Sequence, residues 1–314
     1  MQPISASKQH RITLSLVGII ATYLAMGATV THADFPRNKL YRQDNINALT
    51  GITQAQFDQT IEEVGFFYRP LVAFHGGELV FDHLWSSSEV NAYAFRSGDE
   101  WHVEMHGGLA RRAEVTLDGF KLVICHELGH HLGGYPFKGN SWAASEGESD
   151  WYATQACARW IWRLETTVNA TFRTTAPVSV RDACDAEWST TAEQDLCYRI
   201  SMAGKSLADL LAAMEGTTVD FTTPDNSTVA TTNVSHPPAQ CRLDTYVAGG
   251  LCTVYPELDL VPGENSAMGR NSIQAELEAA VYSCMPTSPL VGAIDYNGRN
   301  RPRCWFKNQL SAPF

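Results

Sequence analysis

The pentapeptide His126-Glu127-Leu128-Gly129-His130 constrains this 314-residue chain more than any other feature. It fits the pattern H-E-x-x-H, and the apolar residues around it recur at the three- and four-residue steps of a helix: Leu117, Phe120, Ile124, Leu128 and Leu132. Gly133-Gly134 then ends that helix. Residues four apart share a helix face, so His126 and His130 can bind one metal ion while Glu127 acts on a water molecule. The segment therefore predicts a hydrolytic zinc site.

A catalytic zinc ion needs three protein ligands and one open position, so a third ligand must lie elsewhere. Residues 146–150, Glu-Gly-Glu-Ser-Asp, open the next predicted helix. Glu146 and Asp150 share a helix face, which predicts Glu146 as the ligand and Asp150 as the acceptor of a hydrogen bond from a ligating histidine. Glu148 is the alternative ligand, but it lies about 200° around the helix from Glu146. Acidic residues at a helix start can also simply complement the helix dipole.

Residues 1–33 have the layout of a secretory signal peptide. Lys8 and Arg11 precede an apolar run over 12–28, and Thr31-His32-Ala33 offers a cleavage site. We predict a signal peptide over 1–33. An uncleaved N-terminal anchor is the alternative, although the apolar run is short for a bilayer span.

The remaining residues, 34–314, are expected to form a single domain. Residues 34–76 are expected to be a lead-in or a covering segment, and 216–235, which is rich in Thr, a surface loop. No segment after residue 33 has the length and apolar character of a membrane span, which predicts no stable membrane insertion once the signal is removed. The net charge of −11 disfavours nucleic acid as a partner.

Eight cysteines, an even number, predict disulfide bonds in an exported chain. Spacing favours four pairs: 125–157, 184–197, 241–252 and 284–304. The first pair would tie the H-E-x-x-H helix to the helix that follows it. Cys125 is not expected to bind metal, because it adjoins His126 and neighbours on a helix point about 100° apart.

Hydrophobic patterns elsewhere predict an α+β fold that is mainly helical, with a small antiparallel sheet or hairpin before the H-E-x-x-H helix. The predicted strands are 78–85, 90–95 and 101–105. The other predicted helices are 54–67, about 144–164, 192–214, a short one after Pro237, and 272–282. Residues 167–190 are expected to be irregular, and the tail from Cys284 to be loop-like.

Together these residues resemble the gluzincin zinc metallopeptidases, and within them the HtpX/CAAX-prenyl-protease family. The H-E-x-x-H motif followed by a helical E-x-x-x-D carries the resemblance first. Residues 90–94, the hairpin after them and Gly108-Leu109 resemble the family's N-A-F-A edge strand and its G-L-L. Ser235-His236-Pro237 followed by Arg242 resembles its downstream H-P-x-x-x-x-R. The four motifs occur in the family's order.

The resemblance implies a zincin-like metallopeptidase domain, here stabilised by disulfides, with one catalytic Zn²⁺. It implies His126, His130 and Glu146 as the metal ligands. It also implies Glu127 as the general base and Asp150 as the residue that orients a ligating histidine.

A polypeptide substrate would then pair, as an added strand, with the sheet edge formed by Asn91, Ala92, Tyr93 and Ala94. His236 and Arg242 would lie near the site. One would stabilise the oxyanion and the other would brace the ligand helix, and the sequence leaves open which does which.

The predicted function is that of an exported zinc-dependent endopeptidase, either periplasmic or secreted. The alternative is a periplasmic chaperone or assembly factor with a gated, weakly active zinc site. Three features depart from the resemblance. Many family members span the membrane several times, few contain so many cysteines, and His131, Gly134 and the Thr-rich loop lie outside the family's pattern. These departures bear on the substrate more than on the chemistry.

Overall fold

A computed structural model of the chain describes residues 33–34, 36, 38–40, 51–285 and 299–309. These residues form an α+β fold that is mainly helical and contains four disulfide bonds, as the sequence predicts. The predicted signal peptide lies outside the described residues except for Ala33.

The strands are β1 (Ala33–Asp34), β2 (Glu78–Leu84), β3 (Ala92–Ser97) and β4 (Glu100–His106). The first helices are α1 (Gln54–Phe74), α2 (Gly107–Ala110), α3 (Leu117–Leu132) and α4 (Glu146–Tyr152). A π-helical turn (Ala153–Ala158) continues α4 into α5 (Arg159–Trp162). The later helices are α6 (Thr166–Thr175), α7 (Val178–Glu187), α8 (Thr191–Glu215), α9 (Ala239–Leu251) and α10 (Ile273–Val281).

The sheet is mixed, with the strand order β1-β3-β4-β2. β3 and β4 form the predicted antiparallel hairpin, in register from Ala92 opposite Met105 to Ser97 opposite Glu100. The expected antiparallel hairpin is present, but the sheet as a whole is mixed, because β2 pairs with β4 in parallel. Arg111 fixes the crossover after β2 by donating to the carbonyl of Trp85, and also to that of Ser87, each at 2.7 Å.

Helix α3, which carries the H-E-x-x-H motif, runs through the centre of the molecule. The Thr116 hydroxyl caps its start by accepting from the Gly119 N–H at 3.0 Å. Every residue from Gly119 to Leu132 is buried. The helix contacts α1, β3, β4, α4, the π-helical turn and α8. A helix enclosed on all sides has a fixed position and can hold functional groups in place.

The prediction that residues 167–190 are irregular is wrong, since this region contains α6 and α7. Thr and Val have modest helix propensity, and here tertiary contacts override that preference. Arg199 on α8 donates to Asn169 of α6 at 3.0 Å, and Cys184 of α7 is bonded to Cys197 of α8. Helix α1 is likewise longer than predicted, because it continues through Pro70 to Phe74.

All eight cysteines are paired, and two predicted pairs are present: 125–157 and 184–197. The pairs 241–252 and 284–304 are wrong, because the bonds are Cys241–Cys304 and Cys252–Cys284. Cys241 lies in α9 and Cys252 directly follows it, so they are separated by about 16 Å of helix rise. A disulfide needs Cα atoms within about 7 Å, which excludes that pairing.

Within the described part of the chain, no helix combines the length and the apolar character that a bilayer crossing requires. Four disulfides are typical of proteins that reside in an oxidising compartment.

Candidate metal centre

Two helices meet at the centre of the molecule and bring the predicted ligands together. His126 and His130 lie one turn apart on α3, with ring centroids 4.8 Å apart. Ser145 caps α4, and its hydroxyl accepts from the Glu148 N–H. The close approach needs Gly129, where a Cβ atom would lie 2.8 Å from the backbone of Ser149. The glycine inside the motif therefore lets α3 and α4 touch at the level of the histidines.

His126, His130 and Glu146 each offer one ligand atom, and these three atoms lie within 4.8 Å of one another. Nε2 of His126 is 3.3 Å from Oε2 of Glu146, and Nε2 of His130 is 3.6 Å from Oε1. All three side chains are fully buried. Two imidazoles and one carboxylate are the donor set of many catalytic zinc sites, so the residues fit a zinc ion.

The outer nitrogens of both histidines face hydrogen-bond acceptors. Nδ1 of His126 lies 2.8 Å from Asp150, and Nδ1 of His130 lies 2.9 Å from the carbonyl of Ala144. A carboxylate and a carbonyl only accept, so each Nδ1 carries the proton and each Nε2 remains a ligand atom. The hydroxyl of Ser149 also lies 2.8 Å from Nδ1 of His130. In known metal sites, hydrogen bonds of this kind orient the rings of the ligating histidines.

Asp150 is itself held by a buried network. Arg242 donates to both of its oxygens at 2.7 Å, and the Tyr246 hydroxyl donates to Oδ1 at 2.6 Å. Burial opposes ionisation, but the Arg242 charge and then His126 keep the pKa of Asp150 below its usual range. Burial likewise tends to lower the pKa of His126, but the Asp150 carboxylate more than offsets this and raises that pKa to about 9. A metal ion that binds Nε2 of His126 would therefore have to displace a proton from it.

Glu127, the predicted general base, follows His126 and is fully buried. Neither of its carboxylate oxygens makes a hydrogen bond to any residue that the structure describes. Burial raises the pKa of Glu127 to about 8. A carboxyl group whose pKa burial raises toward neutrality can take up and return a proton near neutral pH.

Glu148, the alternative ligand, points away from the histidines. Its Oε1 accepts from Nη2 of Arg301 at 2.7 Å, and both side chains are buried. This matches the expectation that Glu146 and Glu148 face opposite sides of α4.

The structure places Arg242 and His236 differently. Arg242 is fully buried behind Asp150 and donates to its carboxylate. His236 is a quarter exposed, and its Nε2 lies 3.3 Å from Oε2 of Glu146. Of the two, His236 is the one placed beside the metal cluster.

The Thr-rich segment 216–235 contains no helix or strand, as predicted. The segment also contacts the site, because its Val234 carbonyl accepts from the N–H of Glu146 at 3.4 Å. The C-terminal residues hold this segment down. Val229 donates to the carbonyl of Arg303 at 3.0 Å, and Asn233 to that of Trp305 at 2.8 Å. The segment 216–235 therefore forms part of the cover over the cluster of His126, His130 and Glu146.

The predicted substrate edge coincides with the outer side of β3. Asn91 directly precedes β3, and Ala92, Tyr93 and Ala94 lie within it. In this structure β1 pairs with that edge, with Ala33 opposite Ala94 and Asp34 opposite Tyr93. An added strand would therefore have to take the place of β1.

Sequence reasoning missed three contributors to the centre: Ser149, Lys138 and Tyr246. Lys138, on the turn between α3 and α4, forms an ion pair with Oε1 of Glu146. Tyr246 could have been found, because it lies four residues after Arg242 and shares its helix face. Lys138 could not have been found, because nothing in its local sequence indicates that the turn places its side chain against Glu146.

Comparison with known proteins gave no match, since no family model, curated protein or solved structure is significantly similar to this chain.

Proposed function

We propose that this chain is an exported zinc-dependent endopeptidase that hydrolyses peptide bonds of polypeptide substrates. The observation that carries the proposal is the convergence of His126, His130 and Glu146 within 4.8 Å, with Glu127 beside them. A purely structural zinc site usually has four protein ligands and has no use for an adjacent carboxylate. The signal-peptide pattern and the disulfides support export.

The chain's own residues would divide the work as follows. His126, His130 and Glu146 would hold the ion, and Asp150 would fix the ring of His126. A bound zinc ion supplies Lewis acidity and lowers the pKa of water toward neutrality. Glu127 would accept the proton of the attacking water and pass it to the nitrogen of the leaving amine. The HtpX/CAAX-prenyl-protease resemblance gives the same roles.

Hydrolysis of unfolded casein, with and without a chelator, tests the proposal. The wild-type protein should release peptides, and the chelator should abolish release. Glu127→Gln keeps the size of the side chain but removes the base, so activity should fall by about 10²- to 10⁴-fold. Elemental analysis should find the same zinc content in wild type and variant, because Glu127 is not a ligand.

A matched control is Glu100→Gln, which changes a half-exposed carboxylate in the sheet. It should cleave casein at the wild-type rate. Full activity in Glu127→Gln would show that another group is the base and would overturn the proposed chemistry.

A second candidate function is a periplasmic chaperone or assembly factor with a gated site. The full burial of Glu127 and of the three ligands favours it, since a closed site turns over slowly. Suppression of the aggregation of a reduced client protein separates the two functions. A chaperone role predicts equal suppression by wild type and Glu127→Gln, whereas a peptidase alone predicts none.

A further inference from the structure

We propose that Lys138 is a further catalytic residue of this site. Its ammonium group would donate a hydrogen bond to the carbonyl oxygen of the scissile peptide bond as negative charge develops there. The inference rests on the proposed peptidase function and adds, beside His236, a second donor for the oxyanion that this function forms. No bond to Lys138 forms or breaks, and its proton stays on the nitrogen.

The backbone of Lys138 is fixed relative to the metal cluster. It lies in the turn 137–144 between α3 and α4, where its N–H donates to the carbonyl of Ala143 at 2.8 Å. Ala144 ties the same turn to α3, because its N–H donates to the carbonyl of His130 at 2.9 Å. The carbonyl of Ala144 also lies 2.9 Å from Nδ1 of His130. The turn that carries Lys138 is thus the turn that orients a metal ligand.

The turn is also fastened from its other side. The side chain of Asn271 accepts from the Phe137 N–H at 2.8 Å and donates to the Gly139 carbonyl at 2.8 Å. Arg270 donates to the carbonyl of Ser141 at 2.7 Å. A fixed backbone at Lys138 limits how far its side chain must reorganise during the reaction, and low reorganisation favours electrostatic catalysis.

The side chain of Lys138 reaches from solvent to the buried cluster. Its ammonium group pairs with Oε1 of Glu146, and His236 lies 3.3 Å from Oε2 of the same carboxylate. The side chain of Lys138 is 21% exposed and that of His236 is 25% exposed, whereas Glu146 is fully buried. These two groups therefore flank the carboxylate where the cluster approaches solvent, the side from which a substrate would arrive.

The ammonium group of Lys138 has hydrogen-bond donors left for a substrate. An ammonium group has three N–H donors, and the carboxylate of Glu146 takes one of them. Lys138 can therefore keep its ion pair and still donate to a substrate oxygen. Arg242 cannot do so, because it is fully buried against Asp150.

Lys138→Met tests the proposal, with Lys205→Met as the matched control. Lys205 is 22% exposed and forms an ion pair with Asp209 on α8, so the control removes an equivalent charge elsewhere. Loss of one oxyanion donor lowers kcat by about 10²- to 10³-fold. We expect that fall in casein hydrolysis for Lys138→Met, partial rescue by Lys138→Arg, and wild-type activity in the control.

Two readouts do not depend on turnover. Zinc per chain should be equal in wild type, Lys138→Met and Lys205→Met, because Lys138 is not a ligand. An N-phosphoryl dipeptide, whose tetrahedral oxygens imitate the charged transition state, should bind the zinc-loaded Lys138→Met protein about 10²-fold more weakly, at the lower end of the loss expected for one oxyanion donor.

The proposal is overturned if Lys138→Met cleaves casein or binds the phosphoryl dipeptide as well as Lys205→Met does. It is also overturned if Lys138→Met loses zinc in step with activity, because Lys138 would then only hold Glu146 in place. A wild-type protein that neither binds zinc nor cleaves casein would instead remove the proposed function itself, and this inference with it.

Discussion

Asp150 connects the cluster of His126, His130 and Glu146 to the rest of the protein through hydrogen bonds of its carboxylate. One face of its carboxylate orients His126, and the same oxygens accept from Arg242 and Tyr246. All of these groups are buried, so water solvates neither charge of the Asp150–Arg242 pair. Removing one partner of such a pair leaves an uncompensated buried charge, which costs about 3–5 kcal/mol.

Arg242→Met should therefore destabilise the chelator-treated protein by about 3–5 kcal/mol in urea unfolding at pH 7. Arg69→Met is the control, because Arg69 pairs with Glu62 at 2.9 Å on the surface, where the arginine side chain is 44% exposed. An exposed pair contributes about 0–1 kcal/mol. Equal losses in the two variants would contradict the structural role assigned to Arg242.

The pH dependence of that loss has a definite sign. The folded-state pKa of Asp150 lies below its unfolded value, because Arg242 outweighs the effect of burial. The stability of the pair is thus present above the unfolded pKa, about 3.9, and is lost as pH falls through the lower folded pKa. The gap between wild type and Arg242→Met should shrink as the urea titrations move below pH 4.

At the scale of elements, local sequence patterns predicted those features that depend on neighbouring residues. The repeat of apolar residues from Leu117 to Leu132 predicted helix α3, and the four-residue spacing of Glu146 and Asp150 predicted that they share one face of α4. Helices α6 and α7 were missed because contacts with α8 stabilise them more than their own composition does. The parallel pairing of β2 with β4 was missed because it depends on a crossover that Arg111 fixes from a distance.

The bond between Cys241 and Cys304 gives an element-scale prediction. It closes a separation of 63 residues and attaches the C-terminal segment that pairs with 229–233. Replacing both cysteines by Ser should cost about 4 kcal/mol by the loop-entropy relation. Hydrogen exchange should also show lost protection at the amides of Val229 and Asn233.

The control is the pair Cys184–Cys197, which closes a separation of 13 residues and ties α7 to α8. Replacing both by Ser should cost about 3 kcal/mol and leave the Val229 and Asn233 amides protected. If those amides exchange alike in both variants, the disulfide does not hold the cover in place.

At the scale of the whole molecule, the centre combines residues that lie far apart in the chain. The histidine pair could be predicted because residues four positions apart on a helix share a face. Glu146 could be predicted because helical geometry points it away from Glu148. Lys138 and the covering position of the segment 216–235 could not be predicted, because their positions follow from the packing of complete elements. The two wrong cysteine pairs have the same cause. Cys241 and Cys252 are close in the sequence, but helix α9 separates them in space.

The central claim is that His126, His130 and Glu146 together bind one zinc ion, and zinc per chain measured by elemental analysis tests it most directly. Wild type, Glu146→Gln and Glu148→Gln would be stripped with a chelator, reloaded with zinc, desalted and checked for folding by near-UV circular dichroism. We predict one zinc per chain in wild type and Glu148→Gln, and a large loss in Glu146→Gln. Wild type without stoichiometric zinc, or a loss confined to Glu148→Gln, would contradict the account.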